Sequence, residues 1–201
     1  KMTILMAAIA LVCFSVPAMA VDWNFYGNAR MATFYTSIDE KDVGDKSTDL
    51  FWDFQGNSRL GANVKADHIT GQVELALKGG DGGDGSVDTR RAYGTWNFGA
   101  GKLKVGKDYT PVSQFVSAQA FDGDAGLIGY GAPYGGRPGQ IALSFGGFDI
   151  AFITPKTDVD LDDESGVSAD GQAKRIIPKL EAGWGMSFDA WNFYLFGGYQ
   201  Y

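Results

Sequence analysis

Basic side chains stand at Arg30, Arg59, Arg91 and Lys107, and two carboxylates, Asp122 and Asp124, flank Gly123. Residues of these types supply fixed charge of opposite sign. Set across a narrow aqueous gap, they would create a transverse field that orders water and disfavours apolar solutes. Covalent chemistry is harder to build from this chain. A nucleophilic enzyme needs an activated side chain with a base in reach; His68 is the only His and Cys13 the only Cys. His68 falls in a short turn with no Ser in a matching position, so it reads as structural and the chain as no enzyme. The acidic run Asp158–Glu164 opens like a calcium-binding EF-hand loop. Asp163 stands where that loop needs Gly, however, and Ala169 where it needs a bidentate Glu. No metal site and no cofactor is expected.

The elements that must position these charges read as strands of period two. In 21–36, Val21, Trp23, Phe25, Gly27, Ala29, Met31, Thr33 and Tyr35 share one face, and Asp22, Asn24, Asn28 and Arg30 the other. In 49–65, Leu50, Trp52, Phe54, Leu60, Ala62 and Val64 oppose Asp53, Gln55, Asn57, Arg59, Asn63 and Lys65. A face this polar cannot lie in a dry core, because each unpaired buried charge would cost several kcal/mol. Further strands are expected at 71–78, 88–98, 103–109, 140–145, 148–154, 174–188 and 191–201. The segments at 39–48, 79–87 and 156–173 are expected to be loops. Arg91 and Lys107 are assigned to the watery face on unbroken alternation, which a β-bulge would shift.

Residues 1–20 stand apart. Met2 to Val16 is an apolar run and Ala18-Met19-Ala20 an A-x-A cleavage signal, so 1–20 reads as a secretory signal peptide with Val21 as the mature N-terminus. The sequence begins at Lys1 without an initiator Met, which points to a start inside the signal. Its removal takes away Cys13 and the charge of Lys1, so the net charge of -7 becomes -8. Disulfides and thiolate metal sites are thereby excluded. The acidic balance argues against nucleic acid as a partner, since that affinity comes from clustered Lys and Arg.

The mean hydropathy is only -0.12, and 21–201 has no run of about 20 apolar residues that could form a membrane helix. A transmembrane β-barrel has this composition, because it alternates lipid-facing with lumen-facing residues. The connections between the expected strands alternate long and short. Outer-membrane barrels sort their loops this way, with long loops outside and short turns in the periplasm. The fold class expected is therefore all-β, a transmembrane antiparallel up-and-down β-barrel occupying 21–201. In that setting Arg30 and Arg59 must face the lumen, since an Arg facing lipid at mid-depth costs about 2–4 kcal/mol. The long connection at about 110–138 is expected to fold into the lumen as a constriction.

Four stretches resemble the Gram-negative porin family of trimeric general-diffusion porins. They are Trp23-Asn24-Phe25-Tyr26-Gly27-Asn28-Ala29-Arg30, Ser58-Arg59-Leu60-Gly61, Arg91-Ala92-Tyr93-Gly94-Thr95-Trp96-Asn97-Phe98-Gly99, and Leu103-Lys104-Val105-Gly106-Lys107-Asp108-Tyr109-Thr110-Pro111. The last two resemble the paired strands that precede the constriction loop in these porins. The resemblance implies a barrel of about 16 strands, three barrels per trimer, and a third external loop tucked into each lumen. About nine strands are expected here, the N-terminal part of such a barrel. The family pattern has Arg where Lys107 stands, and Lys lacks the rigid fork of Arg.

The expected function is then passive diffusion of small hydrophilic solutes and ions through a water-filled channel in the bacterial outer membrane. The pore-lining cations would be Arg30, Arg59, Arg91 and Lys107, and the loop anions Asp122 and Asp124. A homotrimer is the expected assembly, with outer-membrane lipid and lipopolysaccharide as surroundings. Divalent ions could bridge the acidic loop to that lipopolysaccharide. The alternatives are a substrate-specific channel with the same wall, and a structural or adhesive barrel with a plugged lumen.

Overall fold

A computed structural model describes residues 21–40, 45–79, 85–115, 128–155 and 177–200. Among them there is no α-helix, only one 3-10 turn at Ile128–Tyr130. Eleven strands form: β1 (Asp22–Asn28), β2 (Met31–Glu40), β3 (Asp45–Phe54), β4 (Arg59–Ala66), β5 (Ile69–Lys78), β6 (Ser86–Asn97), β7 (Lys102–Lys107), β8 (Gly139–Phe145), β9 (Phe148–Ile153), β10 (Lys179–Phe188) and β11 (Trp191–Tyr199). Nine of them make one antiparallel sheet in the order β1-β4-β5-β6-β7-β8-β9-β10-β11, and β2 and β3 pair with each other. Each strand of the large sheet hydrogen-bonds the next in an up-and-down meander. The sheet is open, with β1 and β11 as its edges.

The two longest expected strands are each broken once. The chain of 21–36 divides at Ala29-Arg30 into β1 and β2, and that of 49–65 at Gln55–Ser58 into β3 and β4. Two residues on one side thus face four on the other, between the pairs Asn28↔Arg59 and Met31↔Phe54. Ser58 closes the mismatch. Its Oγ accepts from the Arg30 amide at 2.8 Å and donates to the Arg30 carbonyl at 3.1 Å. The Gln55 amide also donates to that carbonyl, at 2.8 Å. Ser58 is fully buried, so Ser58→Ala removes the partner of the Arg30 amide and one of the two bonds to the Arg30 carbonyl. It is expected to destabilise the fold by about 1–3 kcal/mol, read as a lower urea midpoint in detergent micelles. An unchanged midpoint would mean that the hydroxyl does not hold the break.

Beyond the break, the expected loop at 39–48 is in good part hairpin, because β2 runs to Glu40 and β3 starts at Asp45. The tight connections all lie at one end of the sheet, at Asp67-His68, Phe98–Gly101, Gly146-Gly147 and Asp189-Ala190. Gly146 and Gly147 have φ of 54° and 84°, the left-handed pair that a two-residue hairpin turn requires. The long connections lie at the other end.

The register sorts side chains onto two faces. Trp23, Phe25, Leu60, Val73, Trp96, Ile141, Phe145, Phe152, Leu180, Trp184, Phe188, Phe193 and Leu195 are exposed on the apolar face. Near the tight turns this face carries stacked aromatics: Trp23 on Phe25, Phe145 on Phe148, Phe148 on Trp184, and Trp191 on Phe193. Aromatic rings in such a row suit the boundary between hydrocarbon and water. Among the described residues the buried apolar side chains are three alanines, Ala76, Ala142 and Ala151, and Ile153. Ala142, Ala151 and Ile153 cluster on the opposite, polar face, where the connection after β7 lies over them. Small residues there leave the space that the connection occupies.

Candidate functional site

The polar face carries a belt of charge across β4 to β7. Register aligns Tyr26, Gly61, Glu74 and Arg91 in one row. Gly61 has no side chain, so the Tyr26 ring lies across it and its hydroxyl donates to Glu74 Oε2 at 2.9 Å. Glu74 also receives Arg90 Nε on Oε1 at 2.9 Å and has Arg59 Nη1 3.5 Å from Oε2. It is only 2% exposed, yet fully paired. Here the expectation that this face sees water holds only in part: Glu74 is buried among the side chains of Tyr26, Arg59 and Arg90, and these partners make burial tolerable.

Arg90 reaches Glu74 because β6 is irregular. Glu74 pairs with Arg91 while Leu75 pairs with Thr89, so Arg90 is an extra residue in the ladder. A bulge of this kind re-aims side chains. It directs Arg90 to the polar face beside Arg91, and beyond it the alternation of β6 is reversed. Arg90 continues through Nη1 to the Gly56 carbonyl at 3.1 Å and through Nη2 to the Tyr109 hydroxyl at 3.3 Å.

The second half of the belt centres on Asp108, just past the end of β7. Arg91 Nε donates to Oδ1 and Lys104 Nζ to Oδ2, both at 2.7 Å. Burial works to raise the pKa of this carboxyl, but those two hydrogen bonds prevail and hold it below the ordinary carboxylate value. Arg91 also lies over the rings of Tyr93 and Tyr109, at 5.2 and 5.4 Å. Each carboxylate is thus shared by two cations. Arg59, Arg90, Arg91 and Lys104 stand against Glu74 and Asp108, and the belt keeps an excess of positive charge.

The connection between β7 and β8 returns onto this same face. Its described limbs are joined to each other, with the Gln114 amide donating to the Pro133 carbonyl at 2.9 Å and the Gly135 amide to Ser113 Oγ at 3.0 Å. The first limb is joined to the far wall as well. The Val112 amide donates to Glu181 Oε2 at 3.3 Å, and the Tyr194 hydroxyl donates to the Pro111 carbonyl at 3.3 Å. Glu181 is completely buried and has Lys179 Nζ 2.6 Å from Oε1. At its base the connection is tied by Gln140 Nε2, which donates to the carbonyls of Asp108 and Tyr109. Tyr109, Phe115 and Tyr134 form an edge-to-face cluster under it.

Of the residues singled out from sequence, Arg59 and Arg91 are brought together in the belt. Arg30 is exposed at the break between β1 and β2, with its backbone held by Ser58. Lys107 pairs across the ladder with Ala92 and Gly139 and is exposed. Simple alternation groups it with Leu103 and Val105, yet it lines a cavity with Asp88, Arg90 and Arg137. The alternation of β7 is interrupted at Gly106, whose φ is 132°. Asp122 and Asp124 lie outside the described residues, as does the acidic run Asp158–Glu164. His68 borders a second cavity, beside Lys65, Asp67, Lys102 and Lys104 at the tight-turn end. Sequence reasoning missed Arg90, Lys104, Asp108, Glu181 and Arg137. Lys104 and Asp108 share a parity and could have been found; Arg90 is hidden by the bulge.

Two cavities therefore flank the belt, one toward the long connections and one toward the tight turns. The arrangement has no paired nucleophile and base, and among the described residues no group of His, Cys, Asp and Glu could hold a metal ion. It can attract, orient and filter charged and polar solutes, as rings of fixed charge do in channels. Neither a search of curated proteins nor a search of solved structures found a match. A model of the Gram-negative porin family matches residues 7–200. With an up-and-down antiparallel sheet, an apolar face with aromatic rows and a charged face beneath a long returning connection, the chain belongs to the Gram-negative porin family, outer-membrane channels built from β-strands.

Proposed function

We propose that the chain forms the wall of a water-filled channel for passive diffusion of small hydrophilic solutes and ions, narrowed by its own β7–β8 connection. One observation carries this reading: the first described limb of that connection is tied to Glu181 and Tyr194 across the sheet from β7, and the second limb is hydrogen-bonded to the first. A loop held there shortens the distance between opposite walls. The positive belt then selects solutes at the narrow point by sign, because low-dielectric walls focus the field of fixed charges. Asp122 and Asp124, on the segment between the two limbs, would supply the opposing negative charge. No bond is made or broken in such passage. The exposed apolar face suits a lipid boundary and, over part of its width, the neighbouring barrels of a homotrimer. The tight-turn end would face the periplasm and the long connections, with the acidic run 158–164, the lipopolysaccharide.

Single-channel recording in planar bilayers tests this. Ohmic conductance with weak selectivity is expected. No conductance would favour the structural or adhesive barrel, and saturable block by one sugar the substrate-specific channel. Deleting Phe121 to Ala125 should raise the conductance severalfold. Unchanged conductance and selectivity after the deletion would place the connection outside the lumen and overturn the constriction.

A further inference from the structure

The cavity on the long-connection side of the belt has a composition that the channel wall alone does not explain. It has a volume of about 520 Å³ and takes Lys78, Arg90, Lys107 and Arg137 in its lining against the single carboxylate of Asp88. Two of these cations are already neutralised. Lys78 is paired with Asp88, and Arg90 with Glu74. Lys107 feels the charge of Asp88 without pairing with it, and Arg137 has no acidic partner: among the described residues no carboxylate lies within ion-pairing distance of either.

Arg137 is nonetheless held in place. Its Nη1 donates to the Tyr109 hydroxyl at 2.9 Å, and its guanidinium lies 5.1 Å over the Tyr109 ring. A guanidinium has five N–H donors, so a fixed Arg137 keeps others available. The Tyr134 ring and Gly136 complete the lining, and no atom lies within 4 Å of where a Cβ on Gly136 would project. The result is a preorganised fork beside a flexible ammonium, in an open cavity that is large for one small ion. Two cations without ion pairs thus line one cavity, and an anion bridging them would offset their mutual repulsion.

We propose that this cavity is a binding subsite for small divalent oxyanions of the phosphate class, held between Lys107 and Arg137. The proposal rests on the channel reading, since solutes reach the cavity through a water-filled lumen. Phosphate suits it because a planar fork and a point charge together can engage two of its oxygens from different directions. Free phosphate and the phosphate group of a small ester share that chemistry. Passage of other solutes would then be slowed while the subsite is filled.

The test is block of single-channel current in dilute KCl, where screening is least, by inorganic phosphate and separately by glycerol phosphate added on the long-connection side. Saturable block is expected, by phosphate alone if the site admits only the free ion and by both if it also admits esters. Lys107→Gln and Arg137→Gln should each weaken apparent affinity at least threefold, and the double variant at least tenfold. Lys102→Gln, in the cavity at the tight-turn end, should leave the block unchanged. Absence of saturable block in a conducting channel, or equal block in the double variant, overturns the subsite and leaves the channel standing. Absence of any current in KCl alone overturns the channel reading itself, and the subsite with it.

Discussion

A valine at Gly106 is expected to prevent folding altogether. The residue sits in β7 at φ 132°, where any side chain is strained, and a Cβ there would fall 2.6 Å from the Tyr93 Cα and 2.9 Å from its Cβ. Those atoms belong to the neighbouring strand, so relief would need β6 and β7 to separate. Gly99 provides the control. Its φ is 92°, but a Cβ would meet no atom within 4 Å. Gly99→Ala should therefore show only backbone strain, of roughly 1–3 kcal/mol, and still fold. Heat-modifiable migration on a denaturing gel separates the two: present for Gly99→Ala, absent for Gly106→Val. A folded band for Gly106→Val at the wild-type level would show that the two strands do not approach this closely.

Glu74→Gln is the second substitution with a large expected effect. The carboxylate is 2% exposed and shared by Arg90 and Arg59. The amide keeps the shape and loses the charge, which leaves two guanidinium groups facing each other with one counter-charge gone. Removing one partner of a buried ion pair costs about 3–5 kcal/mol. The urea midpoint in micelles should fall accordingly. Adding Arg90→Gln should restore part of the loss, because the uncompensated charge goes with it. If the double variant is as unstable as the sum of the two single variants, then Glu74 and Arg90 do not act as a pair.

Much of the architecture was legible from alternation. Trp23 and Phe25 against Asn24 and Tyr26, or Leu60 and Ala62 against Arg59 and Asn63, declare two faces of opposite character, and register in the sheet keeps them so. The tight turns were legible from Gly146-Gly147 and from short polar spacers. What alternation could not reveal is where it fails. Ser58 gave no sign of standing inside a break, because its role comes from the Arg30 backbone on another strand. Unbroken alternation would put Arg90 on the face opposite Arg91, and only the ladder opposite Glu74, one residue short, brings the two together.

The candidate site divides along the same line. Arg59 was legible as an inward cation, since an Arg cannot face lipid cheaply, and Arg91 from the alternation of its strand. Their partners were not, because a pairing between β4, β5 and the end of β7 depends on register and on side-chain reach. By itself the sequence determined the class of fold, the two faces and the sorting of long from short connections, since period-two patterning and turn chemistry are local. Only the tertiary structure decided that the β7–β8 connection is tied back over the charged face. Its anchors, Glu181 and Tyr194, lie far along the chain and act through hydrogen bonds to the backbone of Val112 and Pro111. Backbone groups are the same in every residue, so no residue type in the connection announces which wall it will meet.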